Sequence, residues 1–143
     1  MIYVERKFLK IKVNKAGIFN RLDTIIVRVK NLEASKNWYI DNLSFFPVYS
    51  DDESKITVFD LAGTTTLTLW QFDENDATNK SNHGNTYAVF NCDNAEQVFK
   101  SLKKKGVAVN NFTASGDVSL FNFYDPDGNK FEVIEINEKD GEE

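Results

Sequence analysis

A single cysteine and a single histidine in 143 residues leave several chemistries without material. One thiol, Cys92, cannot close an internal disulfide, and its isolation fits a reducing compartment. One histidine, His83, cannot build a histidine-rich metal cluster, and no serine, histidine and acid set has a recognisable spacing. No glycine loop of the phosphate-cradling kind is present. Long apolar runs are also missing. The opening MIYVERKFLKIKV breaks its apolar residues with Glu5, Arg6, Lys7, Lys10 and Lys12. A signal h-region and a membrane span are therefore not expected, and the expected location is the cytoplasm. Positive charge is in deficit, with 17 Lys and Arg against 22 Asp and Glu and a net charge of −5. Phosphate backbones need a basic face, so nucleic acid is not an expected partner. The one basic cluster, Lys103 to Lys105, closes a predicted helix, where cations complement the helix dipole.

What is present suits one compact domain. The chain is 41% apolar, enough for a real core at this length. Residues 8–13, FLKIKV, alternate as a strand, either at a sheet edge or as an arm onto a partner subunit, so a homodimer is among the expectations. TIIVRV at 24–29 reads as a strand, and Asn31 is placed to cap a helix from Leu32 to about Asn42. Three short strands follow near 45–50, 55–61 and 64–72, punctuated by Pro47, the acidic 51–54 stretch and Gly63. Residues 73–84 are polar throughout and read as a linker or a loop over a site. Beyond them TYAVFNC at 86–92 is a predicted strand. Asn94 and Gln97 then open a helix with Ala95, Val98, Phe99 and Leu102 on its apolar face and Gly106 at its end. Strands near 107–113, 117–124 and 130–136 complete the second half. There Phe121 to Tyr124, the DPDG turn at 125–128 and FEVIEI form a hairpin.

Both halves run strand, helix, strand, strand, strand, and the repeat can be checked by counting. Val29 and Asn31 map to Cys92 and Asn94 at an offset of 63, and the last strands map at about 64. An internal duplication accounts for the match better than chance spacing of short elements.

This doubled unit, with LEASKNWYIDNLSFF after its first strand and DPDGNKFEVIE at its end, resembles the vicinal oxygen chelate superfamily. That group includes glyoxalase I, extradiol dioxygenases, fosfomycin-resistance thiol transferases and bleomycin-resistance binding proteins. The resemblance covers residues 22–136. It implies an α+β fold of two βαβββ modules, about 22–72 and 85–136, forming a cupped mixed sheet with helices on the convex side.

Strand alternation then assigns faces. Thr24, Ile26 and Arg28 look into the cup while Ile25, Val27 and Val29 meet the helix. Thr68 and Trp70, Tyr87, Val89 and Asn91, and Glu132 look inward from the later strands, and Cys92 faces the helix as an inert thiol. Metal-dependent members carry their ligands at positions that match Thr24, Thr68, Tyr87 and Glu132. Only Glu132 suits a divalent cation, so the resemblance as carried by this chain implies no metal and no cofactor. His83 would need a register shift of four residues to take the place of Tyr87.

The expected site is one of recognition. Trp70 and Tyr87 stack, Thr24, Thr68 and Asn91 form hydrogen bonds, and Glu132 and Arg28 bring charge. The expected ligand is a small aromatic or heterocyclic molecule, cationic rather than anionic, unless Arg28 pairs with Glu132. Three readings stay open: a non-catalytic binding protein of the bleomycin-resistance type, a divalent-metal-dependent lyase, dioxygenase or thiol transferase with an atypical site, and a filled cup that scaffolds a protein contact. Each aromatic has core filling as its plainer role, and Glu132 that of a solvated strand residue.

Overall fold

The computed structural model describes residues 17–18, 20–75 and 86–137. The predicted strand at 8–13, His83 and most of the polar 73–84 stretch lie outside the described residues. The first module runs β1 (Thr24–Val29), α1 (Leu32–Leu43), β2 (Phe46–Asp51), β3 (Ile56–Asp60) and β4 (Thr66–Gln71). The second runs β5 (Ala88–Asn91), α2 (Ala95–Lys104), β6 (Ala108–Ser115), β7 (Val118–Tyr124) and β8 (Lys130–Ile136). The architecture is α+β, two βαβββ modules as expected.

Both helices begin where the sequence places a cap. The Asn31 side chain accepts from the Ala34 amide at 2.9 Å, and that of Asn94 accepts from the Gln97 amide at 3.0 Å. These bonds satisfy amides that the first helical turn leaves unpaired. Gly106, at φ +85°, turns the chain out of α2 in a conformation that costs glycine little. At the end of α1 the left-handed residue is the C-cap itself, Ser44, whose amide donates to the Ile40 carbonyl at 3.1 Å.

Each module folds its strands into a four-stranded sheet of one pattern, β1-β4-β3-β2 and β5-β8-β7-β6, whose first pair is parallel. The registers repeat as well. Ile26 pairs with Thr68, and Val89 pairs with Glu132, the residues 63 and 64 positions further on. A register fixed by which side chains face the core is hard to shift, so its recurrence supports duplication independently of the element count. Pro47 lies inside β2, an edge strand, where a missing backbone donor is tolerated, and the β2–β3 register slips beside it.

Burial alternates along β3 and along the inner parts of β1, β4 and β8. Val27, Val29, Leu67, Leu69 and Phe59 from the first sheet and Phe121, Phe123, Phe131 and Val133 from the second are buried in one core. Helix α1 lies where the two halves meet. The Tyr39 ring stacks on Phe59 of its own sheet at 5.8 Å and meets Phe131 of the other edge-on at 6.3 Å. Phe45 bridges in the same way, to Phe59 at 5.7 Å and to Phe90 at 5.9 Å. The core sides of both sheets therefore face one shared interior, and the opposite side of each sheet is an open face.

Candidate functional site

The open face of the first sheet carries Thr24, Ile26 and Arg28 from β1 and Thr66, Thr68 and Trp70 from β4. Its threonines bond among themselves. Thr24 Oγ1 reaches the Thr66 carbonyl at 3.2 Å, accepts from Thr66 Oγ1 at 2.8 Å and lies 2.8 Å from Thr68 Oγ1. A hydroxyl has one proton and two lone pairs. With the Thr24 proton on the carbonyl, Thr68 must donate to it, and every hydrogen-bonding position of Thr24 is used.

Arg28 also turns toward its own sheet. Its guanidinium carbon lies 3.9 Å from the centre of the Trp70 ring and 4.6 Å from that of Phe72, and Nε donates to the Trp70 carbonyl at 3.2 Å. A cation over an indole is a favourable contact, so one face of Trp70 is already occupied. Trp70 as a whole remains 40% exposed, so a stacking partner can still reach it.

The open face of the second sheet carries Val89 from β5, Glu132 from β8 and Asn122 from β7, with Glu132 directly across from both. Tyr87 stands just before β5, exposed, with the Lys130 ammonium 4.2 Å from its ring centre. Glu132 is half-buried. Asn122 is 6% exposed, and its Oδ1 is the one buried side-chain nitrogen or oxygen among the described residues with no hydrogen-bond partner. The sequence reading passed over this residue. The signal was there: an asparagine between two phenylalanines that face the core must look the other way, beside Glu132.

The expected site residues thus fall into two groups. Thr24, Arg28, Thr68 and Trp70 share one open face, and Tyr87 and Glu132 belong to the other. Among the described residues no hydrogen bond or ring contact joins the groups. Asn91, at the end of β5, also lines a cavity of about 540 Å³ between the end of α1 and α2, with Phe45, Phe90, Cys92 and Leu102. Burial pushes the Cys92 thiol above its ordinary range, which keeps it in the unreactive protonated form.

The four positions that the family resemblance assigns to metal ligands can be tested by their donor chemistry. At the four inherited positions Thr24 is saturated, Thr68 is a neutral hydroxyl bonded to it, and Tyr87 is a phenol beneath an ammonium. Glu132 is the single carboxylate, and one carboxylate does not hold a divalent ion tightly. Among the described residues, the donors at these positions do not fit a resident metal held by four side-chain ligands. No group of three or more His, Cys, Asp or Glu gathers among the described residues.

Comparison with known proteins agrees with the architecture. The family model described as Glyoxalase/Bleomycin resistance protein/Dioxygenase superfamily matches residues 21–133. The chain belongs to that superfamily. Solved structures similar to this superfamily member include TnmS3, an antibiotic binding protein from a Streptomyces species, with 17% identity over 84% of this chain and 98% of that one, at a TM-score of 0.66. A glyoxalase/dioxygenase from Nostoc punctiforme has 18% identity over 89% and 98% of the two chains, at a TM-score of 0.69. The fosfomycin resistance protein FosX from Listeria monocytogenes has 20% identity over 82% and 94%, at a TM-score of 0.68. Such identities speak to the fold. A comparison with curated protein sequences finds no match. No helix among the described residues is long and apolar enough to cross a membrane.

Proposed function

We propose that this superfamily member binds a small aromatic or heterocyclic molecule without transforming it and without a metal, in the manner of a sequestering protein. The observation that carries the reading is the Thr24 hydroxyl, fully committed to Thr66 and Thr68, at a position where a metal enzyme needs a ligand. Without a Lewis acid the superfamily's reactions lack their source of charge stabilisation, and no other catalytic set replaces it among the described residues. Stacking on the exposed Trp70 and charge at Glu132 supply recognition instead.

The division of these groups between two sheets bears on how the site is assembled. A second copy of the chain is the proposed partner, its second-module face set opposite the first-module face of this one. The exposure of Ile26, at 54%, Tyr49, at 56%, and Val89, at 47%, supports contact across these faces, because apolar side chains there would leave water on association. The two modules then contribute Trp70 from one copy and Glu132 from the other.

The test is made on purified protein that has never met a chelator. Metal content far below one equivalent, a dimer by analytical ultracentrifugation, and a saturable tryptophan response to aromatic heterocycles that Trp70→Phe removes are the expected results. Stoichiometric metal released by Glu132→Ala, or turnover of a bound compound, would establish the enzyme reading in its place.

A further inference from the structure

The second sheet presents hydrogen-bond acceptors with no donor to match them. Asn122 and Glu132 are direct cross-strand neighbours on the open face, a pairing that brings side chains within contact range. Among the described residues neither side chain has a hydrogen-bond or ion-pair partner, and the Asn122 Oδ1 is buried. The donors nearest in register are engaged elsewhere. Lys130 lies over Tyr87, and the Asn110 amide nitrogen is 3.4 Å from the Tyr124 hydroxyl.

A buried carbonyl without a donor destabilises the fold, and natural chains rarely keep one. A valine or leucine between Phe121 and Phe123 would fill the place at no such cost. We infer that Asn122 is a specificity-determining residue, and that with Glu132 it receives a positively charged N–H donor group of the ligand, an amidinium or a primary ammonium. A half-turn about χ2 exchanges the amide's enclosed oxygen with its nitrogen, which is not fully enclosed, and so puts the acceptor at the less enclosed position at almost no change of shape. One carboxylate and one amide oxygen then face a group that has donors only. The ligand's charge preference is thereby assigned to this pair rather than to the aromatic rings, each of which already has a cation of the protein's own.

The inference rests on the binding reading above, and the experiment separates the two. Benzamidine, benzamide and benzoate are titrated against the full chain and against Asn122→Leu, with binding followed by ligand-observed NMR and the unliganded melting temperature by calorimetry. Benzamidine should bind wild type in preference to benzoate and lose about tenfold or more in affinity to Asn122→Leu, the scale of one charge-assisted hydrogen bond. The same variant should melt about 3 °C higher without ligand, because it removes an unpaired acceptor. A residue with a purely structural role would lower it. Equal benzamidine affinity in the variant, or a fall in its melting temperature, overturns the inference. If uncharged heterocycles bind saturably and ignore Asn122→Leu, the inference fails and the binding reading stands. If nothing in either panel binds wild type, both fall.

Discussion

Tyr39 and Leu102 occupy the same step of their helices, 63 residues apart, yet one ends in a hydroxyl and the other in methyl groups. Their counterparts in the hairpin turns differ likewise. Asp125 follows β7 where Leu61 follows β3, 64 residues earlier. In the second module's turn, the Asp125 carboxylate accepts the Tyr39 hydroxyl at 2.8 Å, the amides of Asp127 and Asn129 at 2.9 Å each, and the Asn129 side-chain nitrogen at 2.8 Å. That nitrogen also reaches the Arg28 carbonyl at 3.1 Å, and Asp127 accepts the Lys30 amide at 3.2 Å. Across the pseudo-repeat, Leu61 only packs against the core and Leu102 is 4% exposed within it. One module position is held by direction, the other by volume.

The difference teaches what the duplication could vary. Apolar packing tolerates rotation, whereas four convergent donors fix a carboxylate to one place. The directional version sits where β1 runs into α1, so it sets the end of the strand that carries Arg28. Burial raises the Asp125 carboxyl above its ordinary range, against the lowering effect of its bonds from Asn129 and Tyr39. The carboxylate is thus a cost that its donors offset, and removing either partner exposes that cost.

The sharpest way to break the comparison is to give the polar position apolar chemistry. Asp125→Leu strands the buried Tyr39 hydroxyl and takes an acceptor from the half-buried Asn129, and should cost about 3–5 kcal/mol, enough to lower the melting temperature by about 10 °C. Adding Tyr39→Phe removes one stranded donor, so the double variant should lose about 1–2 kcal/mol less than the sum of its parts. Strict additivity, read by denaturant melts of all four proteins, would show that the hydroxyl and carboxylate are not coupled.

The apolar position should respond by volume alone. Leu102→Ala opens a cavity between α2 and the second sheet and is expected to cost about 2–4 kcal/mol, additive with Tyr39→Phe to within about 0.5 kcal/mol. A coupling larger than that would mean that the two positions are parts of one mechanical unit rather than separate solutions to the same geometry.

This contrast was only half visible in the sequence. Period-two alternation, the asparagine caps at 31 and 94 and the offset of 63 were enough for the modules, because each is a local signal with one structural meaning. Alternation also told which side of its own sheet Trp70 or Glu132 occupies. It could not tell how one sheet sits against the other, and so the site residues were read as one group although they occupy two faces. The DPDG segment reads as a turn from proline and glycine alone, and nothing local marks Asp125 as the partner of a tyrosine 86 residues earlier. The self-satisfied threonines were likewise hidden, since the bond from Thr24 to Thr68 depends on a parallel pairing across 44 residues.

The smallest expected effect is also the most specific. Tyr39→Phe keeps the ring contacts with Phe59 and Phe131 and deletes only the hydroxyl, so at neutral pH it should cost about 1–2 kcal/mol. Burial, then the Asp125 charge, hold the Tyr39 phenol well above the ordinary tyrosine range. Its protonated form is therefore favoured in the fold, while the unfolded chain ionises near pH 10. The stability that this group contributes is fully present below that pH and is lost as pH rises toward its folded value. Phenylalanine has nothing to titrate. The gap between wild type and Tyr39→Phe should hence stay level from pH 7 to 9, narrow above pH 10, and close or change sign in stronger alkali, as read from urea melts at each pH. A gap that stays constant to pH 11 would mean that the phenol reaches water in the fold, and that the Tyr39–Asp125 contact is not the buried, directional counterpart of Leu102 and Leu61.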